Sequence, residues 1–170
     1  MIWLREIVAE DVPAINRWRN DPEIIRYLTN QFRFIGPEVD RNWFSYYLQH
    51  RDQAVRLAIV DTDTLIGTVQ LTQIDRVNQQ AEYSIMIGEK DRQSKGAGTL
   101  ATRRILEHAF QDLNLNRIYL TVLPGNERAI RLYESFGFQR EGLLRQAVFK
   151  DGQFTDLLGM SLLRHEYRHP

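Results

Sequence analysis

Apolar residues recur along this chain at two periods, and each change of period marks a new element. Ile2–Val8 is a short apolar run with strand character. From Asp11 to Arg19, Ile15 and Trp18 share one helical face, and Pro13 suits a first turn. Asn20-Asp21-Pro22 stops that helix. Gly36-Pro37 opens a second helix, in which Val39, Trp43, Tyr46 and Tyr47 recur at i, i+4, i+7 and i+8. The period then shortens. Arg56–Val60 and Leu65–Leu71 read as strands joined across Asp61-Thr62-Asp63-Thr64, and Ala81–Ile87 as a third, after the polar turn Val77–Gln80.

Gly88–Gly98 is a polar, glycine-containing loop. Beyond it Thr102, Leu106, Ala109, Phe110 and Leu113 return at helical spacing until Asn114-Leu115-Asn116. Arg117–Val122 is a strand rich in β-branched and aromatic residues. Asn126 is an N-cap for a short helix to Ser135, and Gly137 a left-handed terminator. Two strands close the chain, Phe138–Phe149 and Phe154–Leu163, with Asp151-Gly152 as the hairpin signal between them.

The order β-α-α-β-β-β-α-β-α-β-β predicts an α/β (α+β) architecture. It has one mixed central sheet of about seven strands and about four helices, all in one domain over residues 1–170. The strands on either side of the third helix are expected to run parallel.

Composition narrows the function. Lys+Arg and Asp+Glu each number 22, which argues against a general nucleic-acid binder. With no cysteine, disulfides, thiolate metal sites and a cysteine nucleophile are excluded. His50, His108, His165 and His169 lack metal-ligand spacing, so no metal is expected; His108, beside Glu107, reads as exposed. The N-terminus meets charge at once and no apolar run reaches membrane-spanning length, so a cytoplasmic protein is expected.

The most informative segment is Gln93-Ser94-Lys95-Gly96-Ala97-Gly98-Thr99, between a buried strand and a helix. A helix N-terminus exposes unpaired N–H groups, and glycine lets that backbone close around an anion such as a diphosphate. Lys95 could add a point charge. A Walker loop is excluded because Lys95 precedes Gly96. The spacing Gly96-x-Gly98-x-x-Ala101 matches a dinucleotide fingerprint, but its place after a hairpin series is wrong for a Rossmann unit.

The same segment, Gln93-Ser94-Lys95-Gly96-Ala97-Gly98, resembles the coenzyme-A loop of the GNAT N-acetyltransferase family, Gln/Arg-x-x-Gly-x-Gly/Ala. Asn126 to Phe138 (NERAIRLYESFGF) resembles that family's N-x-x-A-I-x-x-Y-x-x-x-G-F block. Gln139–Arg145 and the hairpin Asp151–Asp156 are similar to the ribosomal-protein N-acetyltransferase-like branch, which also holds polyamine and nucleotide-sugar enzymes.

The resemblance implies transfer of acetyl from acetyl-CoA to a primary amine, with no metal. It places the pyrophosphate on the amides of Gln93, Ser94, Lys95, Gly96, Ala97, Gly98 and Thr99. Pantetheine would lie along Ser84–Ile87, whose free N–H groups, at Ile85, Met86 or Ile87, polarise the thioester. It gives Tyr133 the role of general acid and Asn126 a contact to the coenzyme arm. Tyr133 also has packing spacing with Ile130 and Phe136, and Asn126 fits a plain cap. Glu82 is the candidate general base, with a solvated strand-end acid as the alternative; Glu141 and Asp156 are weaker candidates for binding a cationic amine. Another acyl donor, such as succinyl-CoA, and a non-catalytic coenzyme-A-binding module remain alternatives.

The acceptor is less constrained: a protein N-terminus, a polyamine or an amino-sugar nucleotide. Arg26 and Arg33, flanked by Arg19 and Arg41, favour an anionic or neutral acceptor over a polyamine. Trp43 and Tyr47 are expected inside. The other aromatics of their helix are left for substrate or for a second copy in a homodimer.

Overall fold

The computed structural model describes residues 1–30 and 34–168. Its elements are β1 (Ile2–Glu6), α1 (Val12–Arg19), α2 (Pro22–Ile25), α3 (Pro37–Gln49), β2 (Val55–Asp61), β3 (Thr64–Asp75), β4 (Gln80–Ile87), α4 (Ala97–Glu107), β5 (Arg117–Val122), α5 (Glu127–Phe136), β6 (Gln139–Lys150) and β7 (Gln153–Leu163). All seven strands join one sheet in the order β1-β2-β3-β4-β5-β7-β6. Every pairing is antiparallel except β4 with β5, which is parallel as a strand-helix-strand crossover requires.

The local reasons are chemical. Asp151 and Gly152 both take positive φ (51° and 81°), so the last two strands turn through a two-residue loop. Asn126 accepts a bond from the Ala129 N–H at 3.2 Å and caps α5, and Gly137 ends that helix at φ +100°. The expected four helices become five, because α2 is added. Asp21-Pro22 stops α1 and also starts α2: the Asp21 carboxylate accepts from the Glu23 N–H at 2.9 Å, and Pro22 opens the turn.

Helices cover both faces of the sheet. On one, α4 and α5 bury Ile105, Leu106, Ile130 and Phe136 against Ile59, Val69, Leu71, Ile118 and Met160. On the other, α1 and α3 pack Ile15, Trp18, Trp43 and Tyr47 against Ile7, Ala58, Val60 and Met86. Gly88 is needed there: a Cβ on it would lie 2.0 Å from the Trp18 ring. On α3 Tyr47 is buried and Tyr46 exposed, as expected; Trp43 is only half-buried, Val39 is exposed, and the buried line runs through Asp40 and Tyr47.

Asp40 is fully buried, ion-paired with Arg19 and bonded by the Asn16 amide at 2.7 Å. A polar residue can occupy a core position when its charge and lone pairs are met. His108 is half-buried instead of exposed, with Nδ1 2.7 Å from Asp112 Oδ2.

Candidate functional site: a cleft where two parallel strands part

β4 and β5 are in register only over Gln80–Arg117, Ala81–Ile118 and Glu82–Tyr119. Beyond Glu82, β4 continues to Ile87 paired with β3 alone. The Gly88 N–H donates to the Ile66 carbonyl at 2.8 Å, on the β3 side. Peptide groups alternate along a strand, so Met86 and Ser84 also turn toward β3, whereas Ile87 and Ile85 turn toward the gap. In agreement, the Ile87 carbonyl accepts from the Gln93 side chain at 3.0 Å. The free amides of the fork are therefore those of Ile85 and Ile87. Of the three expected, Met86 is corrected: its amide serves the β3 ladder, and its side chain lines the cleft.

This gap opens into a cleft of about 900 Å³. One wall is Ile85–Ile87 and the loop, with Gln93, Ser94, Gly96, Gly98 and Thr99; another is Gly125, Asn126, Ala129, Leu132 and Tyr133. The Lys95 side chain is exposed outside the lining, and the Ala97 side chain is buried in the core, so what these two positions offer the loop is the backbone amide the resemblance implied. Gly96 sits at φ +85° as N-cap of α4, which turns the first amides of the helix outward. Thr102 Oγ1 donates to the Gly98 carbonyl at 2.6 Å and lies 2.8 Å from the Tyr83 hydroxyl, so loop, helix and β4 are tied through one buried oxygen.

A concave, glycine-lined helix start continuous with free strand amides fits a long phosphorylated thioester. The amides of the loop suit a diphosphate, and the free amides of the fork suit an amide-bearing arm. The match to known proteins agrees. The acetyltransferase (GNAT) domain model matches residues 2–139. This chain is a GNAT acetyltransferase. It is 31% identical to the spermidine N(1)-acetyltransferase of Escherichia coli over 96% of this chain and 87% of that one. A putative ribosomal N-acetyltransferase of Bacillus subtilis is 36% identical over 61% of this chain and 56% of its own. The crystal structure of spermidine N-acetyltransferase from Vibrio cholerae with CoA and spermine superposes with a TM-score of 0.91 at 29% identity, covering 98% of this chain and 97% of that one.

The GNAT enzyme is thus an acetyl-CoA-dependent N-acetyltransferase, with fold, donor and reaction class as expected. Among its described residues no group of three or more His, Cys, Asp or Glu could hold a metal ion. No helix among them is long and apolar enough to cross a membrane.

Tyr133 is buried, and its hydroxyl makes no hydrogen bond to another described residue. Burial pushes its phenol up to about 12, so it holds its proton. Tyr83 and Phe138 pack its ring, with centroids at 5.8 and 5.7 Å. Its ring is packed while the residue still lines the cleft, so packing and a place at the cleft coincide in one side chain.

Glu82 does not line this cleft. It follows Ala81 and precedes Tyr83, both buried toward α4 and α5, so its side chain leaves the sheet on the opposite face. There its carboxylate accepts from the Gln73 amide at 2.9 Å and has no cationic partner among the described residues. It stands at the last β4–β5 register pair, at the apex of the fork. Glu141 is committed to Arg117 (2.6 and 2.9 Å) and to Ser161. Asp156 accepts from the Gln146 N–H at 2.8 Å and lines a second recess of about 570 Å³, which shares Arg26, Tyr27 and Gly125 with the cleft.

The cationic argument about the acceptor loses its basis. Arg19 is held by Asp40 and Arg41 by Glu38, while Arg33 lies outside the described residues. Of the described members of that group, only Arg26 lines the cleft. Residues not singled out in the sequence complete the lining, among them Ile24, Tyr27, Leu28 and Arg128. The first three arrive on α2 and just after it, and only the Asp-Pro start of that helix hinted at them.

Proposed function

We propose that the acceptor is an aliphatic polyamine of the spermidine class, acetylated on a primary amine at the β4–β5 fork. The observation that carries this is Glu82: a half-buried carboxylate at the fork with no cation of its own among the described residues. A polyammonium chain supplies that cation. The whole-length similarity to spermidine N-acetyltransferases supports the same class.

Acetyl-CoA brings the thioester carbonyl and a sulfur leaving group. The protein does the rest. Loop amides from Gln93 to Thr99 hold the diphosphate, and the Asn126 side chain, already capping α5, contacts the arm. The Ile85 and Ile87 amides face the gap and steady the arm and the charge that develops on the carbonyl oxygen. An aimed amide of this kind is worth about 3 kcal/mol of barrier. Glu82, on the opposite face, takes the ammonium proton through a water, because an alkylammonium with pKa near ~10 cannot attack until it loses one. The nitrogen attacks the carbonyl carbon as the C–S bond breaks; Tyr133 gives its proton to the departing thiolate, the second nitrogen proton passes to water, and water returns one to Tyr133.

The test is an acetyl-CoA consumption assay with spermidine, spermine, N-terminal peptides of ribosomal proteins and an amino-sugar nucleotide. Saturable turnover of the polyamines alone is the expected result. Turnover confined to the peptides or to the sugar nucleotide overturns the polyamine assignment and leaves the donor chemistry standing.

A further inference from the structure

Among the described residues four cationic side chains line the cleft, and they are not equally committed. Lys90 is held by Asp21 at 2.9 Å and Glu23 at 2.6 Å, and Arg92 by Asp61 at 2.5 Å. Arg26 lies over the ring of Tyr27, 4.9 Å from its centroid, at the border with the second recess. Arg128 is exposed, and none of the described residues pairs with it. The neighbouring acid of the lining, Glu127, is taken by Arg131 at 3.1 Å.

Position adds to this. Arg128 and Leu132 are four residues apart on α5 and so share a face, one turn of about 5.4 Å from each other. Leu132 abuts the phosphate loop: its Cδ2 would stand 3.6 Å from a Cβ built on Gly98. Arg128 therefore stands one turn outward from the loop, at the cleft rim. On the proposed reading the backbone amides there serve the diphosphate, and Arg128 is the cation of the lining that stands beyond them without a partner among the described residues.

We propose that Arg128 binds the 3′-phosphate of the coenzyme's ribose and so makes the cleft selective for coenzyme A over its 3′-dephospho form. A phosphomonoester carries about −1.5 to −2 charge at neutral pH, and a guanidinium fork matches two of its oxygens. The inference rests on the donor cleft and is independent of the acceptor.

Calorimetric titration with CoA and with 3′-dephospho-CoA tests it on the wild type, Arg128→Gln and Arg128→Lys. The wild type is expected to prefer CoA by about tenfold, the scale of one charge-assisted contact. Arg128→Gln is expected to lose that preference with its affinity for 3′-dephospho-CoA unchanged, and Arg128→Lys to keep part of it. Arg128 is exposed, so the unfolding midpoint without ligand should stay the same. A wild type without preference overturns the proposal. So does an Arg128→Gln protein that keeps the preference or that loses affinity for both ligands equally.

Discussion

The ring of Tyr133 stands edge-on to that of Tyr83, with centroids 5.8 Å apart and planes at 85°. Tyr83 is itself fixed through Thr102, so the candidate acid rests on a side chain that cannot rotate freely. Tyr133→Phe keeps this packing and removes only the hydroxyl. Turnover should fall by about a hundredfold, within the usual range for a lost general acid, with little change in the KM for acetyl-CoA. Wild-type turnover in this variant would reduce Tyr133 to packing.

The same group sets a pH expectation. The unfolded chain releases a tyrosine proton near ~10, whereas burial holds that of Tyr133 to about 12. Below pH 10 the two states carry the same proton, so this group adds no pH dependence to folding. As pH rises through 10 toward 12 the unfolded state alone ionises, and stability falls. Thermal melts of wild type and Tyr133→Phe should therefore diverge only in that window. An alkaline loss of activity centred below pH 10 would come from another group.

Glu82→Gln should slow the reaction most at neutral pH, where the amine is almost wholly protonated. The defect should shrink as pH approaches the amine's own pKa near ~10. A pH-rate profile of the two proteins checks this. A defect of constant size from pH 7 to 10 would remove the base role and leave Glu82 as a binding charge.

Gly96 and Gly98 should respond differently. Gly96→Asp places a side chain at φ +85° and a negative charge beside the diphosphate, and CoA affinity should fall by more than about tenfold. Gly98→Ala meets Leu132 only at ordinary contact distance, 3.6 Å, and should fold with a much smaller loss. Calorimetry on both variants decides it; equal losses would mean that the loop tolerates no side chain at either position.

Asp40→Ala takes from Arg19, largely buried, its carboxylate partner, and from the Asn16 amide the shortest of its bonds, leaving it the Ile35 carbonyl at 3.0 Å. The cost should be about 3 kcal/mol or more, read as a shift in chemical denaturation. Asp40→Asn retains the amide contact and should cost less.

Legibility followed the range of the interactions. α5 was readable because its cap, Asn126, and its stop, Gly137, lie within the segment they bound, and the β6–β7 turn because Asp151-Gly152 forms it unaided. α2 was hidden because a four-residue helix has no period to display, only a capping Asp-Pro that also reads as an end. The inward face of α3 departs from the apolar pattern at Val39 and Trp43 because its true line passes through a charged residue, Asp40, whose partner Arg19 comes from another helix. That pairing also explains why Arg19 is a poor guide to the acceptor. The phosphate loop and the Tyr133 block were visible as motifs. The choice between the Ile85 and Met86 amides was not, since it depends on which neighbour β4 has at each position.

The early end of the β4–β5 ladder would make a coenzyme arm bound along β4 a stand-in for backbone. With the cleft empty, one flank of β4 beyond Glu82 is an unzipped seam in the middle of the sheet, an edge of the kind proteins normally keep at their margins. A ligand that bonds along Ile85 and Ile87 mends that seam from within. Cofactor-loaded protein should then exchange those two amide protons far more slowly, and the four strands of one flank and the three of the other should melt as a single unit.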